Sequence, residues 1–308
     1  MARTILITFI LAAAAARADL VLDVRQALAY NQMPLAQRMI DSYKTQRGTT
    51  PEMIEALSWM ARGAETQKNY ADADRYAQEV MRLAQVQIAK QTGRVDAEPH
   101  LPIAIGAAIE VEAQSMVAHG ARDQAITYLR EQLKLYYATS IRVRIQKNIN
   151  LLSLEGKPLP PLDVGPYLGS KVPPTLASLR GKPVFLFFWA HWCSDCKAEE
   201  PILAKLKNEY APKGIVFIAP TQHYGYAAGG DEVPRPVETK YIEAVHNRFY
   251  AGLMDVPVPL SEENFKRYGS STTPTIVLAD RAGIVRLYHP GAMTEAELRA
   301  QFDAILKR

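Results

Sequence analysis

From Leu20 to about Leu154 the apolar positions recur three and four residues apart, and glycine and proline are sparse. That is the periodicity of helices with one buried stripe. Thr50-Pro51-Glu52 reads as a helix start: a hydroxyl cap, then proline at the first helical position, where a missing N–H is harmless. Behind it Met53, Ile54, Leu57, Met60, Ala61 and Ala64 keep helical spacing, and Tyr70 to Leu83 continues as a second helix. The grammar then changes. Gly156 to Pro161 is rich in proline, which removes backbone donors and forbids helix continuation, so it predicts a linker. Beyond it the runs Val184 to Trp189 and Ile215 to Ile218 are apolar at every position, as in strands buried on both faces. Helical patterns alternate with them over Cys196–Tyr210, Val237–Tyr250 and Thr294–Leu306. The pattern predicts an all-α domain over 19–155 followed by an α/β domain over 156–308.

The N-terminus sets the compartment. Arg3 precedes an apolar run from Ile5 to Ala16, and Ala16-Arg17-Ala18 fits a cleavage site for small residues, so residues 1–18 read as a secretory signal peptide. The run is shorter than the roughly 20 residues that span a bilayer, and no later segment reads as a membrane span. The mature chain is expected to begin at Asp19, in the periplasm or another extracytoplasmic space. Removing Arg3 and Arg17 lowers the formal charge from +4 to +2. Residues 19–155 carry 16 basic and 16 acidic side chains and residues 156–308 carry 18 and 16. Without a concentrated basic patch the chain is not expected to bind nucleic acid.

Both cysteines of the chain, Cys193 and Cys196, stand three positions apart just after an apolar strand. A structural disulfide of this size gains little: closing so short a ring is worth about 2 kcal/mol, against nearly 5 for one of about 100 residues. Covalent haem needs a histidine after the second cysteine, where Lys197 stands, and a zinc site commonly needs a second such pair. A copper site formed with His191 or His223 is an open alternative. Redox exchange is the remaining reading. Cys193 falls at the start of a helix, where unpaired amides and the dipole favour a thiolate, and it is expected to attack while Cys196 resolves.

Several motifs around this pair carry a family resemblance. Phe188 to Lys197 reads FWAHWCSDCK, Pro201 follows five residues after Cys196, Leu176 to Val184 reads LASLRGKPV, and Tyr268 to Thr275 reads YGSSTTPT. Gly283 and Gly291 precede the last helical pattern. In these features the segment from 156 to 308 resembles the thioredoxin-like thiol–disulfide oxidoreductases of the TlpA/ResA type. The resemblance implies a thioredoxin fold, no cofactor and no metal, a cis peptide before Pro274, and substrate backbone pairing beside Thr273. It also implies a hydrophobic lip at Trp192, a kink at Pro201, and a carboxylate at Glu199 that takes the Cys196 proton. Protein thiols or disulfides are the implied substrates, with a membrane thiol donor if the direction is reducing. An oxidase, an isomerase, or a binding scaffold with a redox-sensing pair stays open.

The chain departs from its family in places. Phe187 occupies the position where classical thioredoxins carry a buried aspartate, and Asp195 between the cysteines opposes thiolate formation. Ala190 stands where peroxidase chemistry needs a threonine. The stretch 221–236 is longer than the fold requires and reads as a mobile surface loop, with a substrate lip shaped by its tyrosines and His223 as the alternative. In the helical half, Leu57, Ala61, Tyr70, Ala73, Tyr76 and Val80 resemble the packing positions of a tetratricopeptide hairpin, and Glu112 to Leu135 looks like a second. Ala73 and Ala125 are 52 residues apart, however, against a repeat period of about 34, so a regular array is not expected. A plain helical bundle and a domain that gathers a protein partner both stay open.

Overall fold

A computed structural model of the chain describes residues 19–90 and 93–308. The expected signal peptide lies outside the described residues. The chain divides into two compact units, one ending at Ala108 and the other running from Ile109 to Arg308.

The first unit is helical: α1 (Leu20–Ala29), α2 (Met33–Arg47), α3 (Pro51–Thr66), α4 (Tyr70–Lys90) and the first half of α5 (His100–Ala118). The start of α3 forms as its sequence dictates, with Thr50 Oγ1 accepting from the Met53 amide at 3.2 Å and Pro51 in the first turn. Val24, Ile40, Met53, Ile54, Ala73 and Val80 are its buried centre. α5 amends one sequence expectation. By length and composition this helix is apolar enough to cross a membrane, with mean hydropathy 1.3, yet 61% of that window is buried within the protein.

The second unit opens with the rest of α5, then α6 (Arg122–Leu135) and α7 (Arg142–Ser153). Glu110 receives both Arg144 and Lys147, at 2.5 and 2.9 Å, and so ties α5 to α7. The α/β part follows: β1 (Tyr167–Leu168), β2 (Val184–Phe188), α8 (Ser194–Tyr210), β3 (Val216–Ile218), α9 (Arg235–Phe249), β4 (Val258–Pro259), α10 (Glu262–Tyr268), β5 (Thr275–Ala279), β6 (Val285–Pro290) and α11 (Glu295–Leu306). The main sheet has the order β3-β2-β5-β6, with β2 parallel to β3 and antiparallel to β5, and β5 antiparallel to β6. β1 and β4 form a separate small pair.

β2 shows why an uninterrupted apolar run marks the central strand. Side chains alternate between faces. Phe185 and Phe187 enter the layer shared with α8 and α11, while Val184, Leu186 and Phe188 enter the layer with Phe265, Tyr268 and Leu154. Both faces are covered, so no position is left to be polar.

The proline-rich stretch expected as a linker hydrogen-bonds to the chain at the start of β6. The Gly156 amide donates to Val285 O at 2.8 Å, Val285 N donates to Lys157 O at 2.9 Å, and Leu159 N donates to Gly283 O at 2.8 Å. The segment thus lies antiparallel beside Gly283 to Val285, at the start of β6. Its prolines do not prevent this, because the ladder uses the amides of Gly156 and Leu159 and only the carbonyl of Lys157. α7 leads into this segment. Leu154 is buried in the sheet's second layer, Glu155 accepts from the Tyr288 amide at 3.1 Å, and the backbone of Gln146 and Lys147 lies directly against Gly269 after α10. α6 and α7 therefore belong to the same compact unit as the sheet.

Candidate active site

Strand β2 ends at Phe188 and the chain turns through Trp189 to Cys193 before entering α8. Trp189 is fully buried, its indole donates to Ala219 O at 3.0 Å, and its ring lies 4.6 Å from that of Tyr250, so it packs as core. A tight turn closes when the Cys193 amide donates to Ala190 O at 3.1 Å. Cys193 then caps α8, its sulfur accepting from the Cys196 amide at 3.0 Å. The two cysteines form a disulfide with Cα atoms 5.3 Å apart. Cys196 is fully enclosed and Cys193 is 3% exposed. The helix-start position expected of Cys193 is thus present, with a backbone donor aimed at its sulfur. Pro201 falls inside α8, which runs through it.

Glu199 lies one turn beyond Cys196 and points inward, 3% exposed. Its Oε1 accepts from the Met293 amide at 2.9 Å, and its Oε2 has no hydrogen-bond partner among the described residues. Burial pushes its carboxyl up to about 7, an effect the Met293 bond opposes and Asp195 reinforces. A carboxyl pushed up to about 7, with an oxygen left without a partner one turn past Cys196, is equipped to take and return a proton.

The peptide between Thr273 and Pro274 is cis. Register brings it to the same place: Phe188 pairs with Thr275 across β2 and β5, so Pro274 lies beside the start of the Trp189–Cys193 turn. Pro274 O accepts from the Gly291 amide at 2.8 Å, which fixes the loop on its other side. The Thr273 hydroxyl is buried without a partner among the described residues. Trp192 is 48% exposed. The sequence-predicted residues Trp192, Cys193, Cys196, Glu199, Thr273 and Pro274 thus gather at one end of the sheet.

A second layer lies next to them, built on Glu238, which sequence reading missed. His191, two residues before Cys193, is buried with its Nε2 3.6 Å from Oε1 of Glu238 on α9, and Glu238 is itself fully enclosed. The Glu238 carboxylate accepts from the amides of Tyr224 and Gly225, the latter at 3.0 Å. The imidazole is surrounded edge-on by Tyr224, Tyr226 and Tyr241, with centroids 5.4, 5.1 and 5.3 Å away. Desolvation holds the His191 pKa below its ordinary value, while Glu238 pulls the other way. Of the two histidines considered for copper, His191 Nε2 faces Glu238 at 3.6 Å without a hydrogen bond, and His223 Nε2 lies 2.8 Å from Thr239 Oγ1. Of the stretch 221–236, expected as a mobile surface loop, the first five residues are held to neighbouring elements. Thr221 is buried and its hydroxyl donates to Trp189 O at 2.9 Å, and Glu238 holds the next turn by two amides.

A helix-capping cysteine pair beside a cis-proline, on a β3-β2-β5-β6 sheet, is the site of a thioredoxin-type redox protein. Residues 175–306 match the family described as "Thioredoxin-like domain". The chain is 31% identical over 155 residues to the thiol:disulfide interchange protein DsbE of Pseudomonas fluorescens biotype C, covering 49% of this chain and 77% of that one. It is 30% identical over 150 residues to the thiol-disulfide oxidoreductase ResA of Bacillus thuringiensis subsp. konkukian, covering 49% of this chain and 78% of that one. A crystal structure of a thiol-disulfide isomerase from Corynebacterium glutamicum aligns with TM-score 0.41 and 21% identity over 49% of this chain and 97% of that one. The chain belongs to the TlpA/ResA/DsbE-type thiol–disulfide oxidoreductases.

Proposed function

We propose that the protein is an exported reductant of protein disulfides. Cys193 attacks a substrate disulfide as a thiolate, forming a mixed disulfide and releasing one substrate thiolate. Cys196 gives its proton to Glu199 and attacks Cys193 Sγ. The Cys193–Cys196 bond forms, the mixed disulfide breaks, and the second substrate thiolate leaves. Two electrons pass to the substrate, and a membrane thiol donor restores the dithiol, because an oxidising compartment supplies none. Extended substrate backbone pairs beside Thr273 and Pro274, with Trp192 as the lip. The observation that carries this reading is Glu199, buried one turn past Cys196 with one oxygen free and a pKa of about 7.

Residues 19–155 are proposed to gather a protein partner through tetratricopeptide-like hairpins. A groove of about 820 Å³ between α2, α3 and α4, with Ile40, Lys44, Arg75 and Tyr76 in its walls, supports that role. Direction is tested by the reduction potential of the cysteine pair against a glutathione or dithiothreitol buffer. A value below about −200 mV supports a reductant; one near −120 mV makes the protein an oxidase.

A further inference from the structure

Glu238 joins two segments that flank the exposed lip of the site. Its carboxylate holds the amides of Tyr224 and Gly225 on one side and faces the imidazole of His191 on the other. Between those two attachments lies Trp192, whose ring meets that of Tyr224 edge-on at 5.5 Å. A buried carboxylate is costly unless its lone pairs are filled, and here the loop amides fill them. If Glu238 is lost, Tyr224 and Gly225 lose their side-chain acceptor and His191 its facing charge. The side chain next to Cys193 is the half-exposed ring of Trp192, which Tyr224 backs edge-on and Tyr226 extends, with the Glu238 carboxyl enclosed.

We propose that Glu238 is a positioning residue that fixes this aromatic wall, and that the wall selects substrates carrying an aromatic or large apolar side chain next to the reacting cysteine. The inference rests on the protein-disulfide reading above. Selection by an apolar wall of this kind is worth about tenfold or somewhat more in specificity. It falls mainly on KM, because the wall binds the flanking side chain and not the reacting sulfurs.

The test uses the full chain and two synthetic peptide disulfides, identical except for Phe or Ser beside the cysteine. The parent is expected to favour the Phe peptide about tenfold in kcat/KM. Glu238→Ala is expected to bring that preference to within about twofold by raising KM for the Phe peptide, and Glu238→Gln, which keeps one acceptor, to fall between. Tyr224→Ser removes the wall directly and should also abolish the preference, so the outcome does not depend on Glu238→Ala folding. A parent that exchanges with both peptides equally overturns this inference alone, as does an unchanged ratio in Tyr224→Ser or in folded Glu238→Ala. A parent that exchanges with neither overturns the protein-substrate reading and this inference with it.

Discussion

The backbone amide of Met293 donates to Oε1 of Glu199 at 2.9 Å, while Oε2 of the same carboxylate is buried with no partner among the described residues. This asymmetry has a cost in stability that depends on pH. In the unfolded chain the group releases its proton near 4.5; in the folded protein it holds it to about 7. Between those values the folded state binds more protons, so stability falls as pH rises through the window and stays low above it. The shift corresponds to roughly 3 kcal/mol at alkaline pH. Glu199→Gln should therefore be more stable than the parent in urea unfolding at pH 8, by an amount of that order, with the gap closing toward pH 4. A difference that does not vary with pH would contradict the buried, protonatable carboxyl.

The same substitution tests the role of Glu199 in exchange. In single-turnover experiments Glu199→Gln is expected to slow release of the mixed disulfide by about 100-fold at pH 7. Alkylation of Cys193 in the reduced protein should change by less than about threefold, since attack does not use this base. Equal slowing of both steps would place Glu199 with attack as well.

Some of this site was legible in the sequence, because its chemistry sits in contiguous motifs. Cys193 caps the helix that carries Cys196 and Glu199, and the run from Val184 to Trp189 declared a strand buried on both faces. Glu238 was not legible. It stands 47 residues from His191 and reads as one more acidic residue in the first turn of a helix; only the folded chain brings it under the active-site turn. The backbone bonds of the Gly156–Pro161 stretch were not legible for a local reason. Composition counts its prolines, whereas the pairing uses the amides left between them.

Gly269 shows how closely α7 is fitted to the α/β part. Its φ is +64°, and a Cβ there would lie 2.4 Å from the Lys147 backbone nitrogen. Gly269→Ala combines a left-handed alanine with overpacking against main chain, which together should cost about 2–4 kcal/mol in denaturant unfolding. Gly283 has φ +74° but nothing within 4 Å, so Gly283→Ala should cost only about 1–2 kcal/mol. Equal losses would mean that the contact with α7 contributes nothing.

Domain independence follows from the same packing. The sequence places the boundary at 155/156, and we propose that α6 and α7 are needed for the α/β part to fold well. A fragment beginning at Ile109 should unfold cooperatively and retain exchange activity. One beginning at Lys157 lacks buried Leu154 and the bonds that Glu155 and Gly156 make to β6, and should be less stable by about 3 kcal/mol or more. Comparable midpoints for the two fragments would restore the boundary at 155/156.

The order of attack is the central claim, and covalent trapping tests it most directly. Cys193 caps α8 with the Cys196 amide on its sulfur, while Cys196 is fully enclosed. In Cys196→Ser the attack proceeds and nothing resolves it, so substrate proteins should accumulate on Cys193 and appear as higher bands on non-reducing gels, identifiable by mass. Cys193→Ser should trap few or none. Equal trapping by both variants, or trapping by Cys193→Ser alone, would contradict the assignment of Cys193 as nucleophile and Cys196 as resolving thiol.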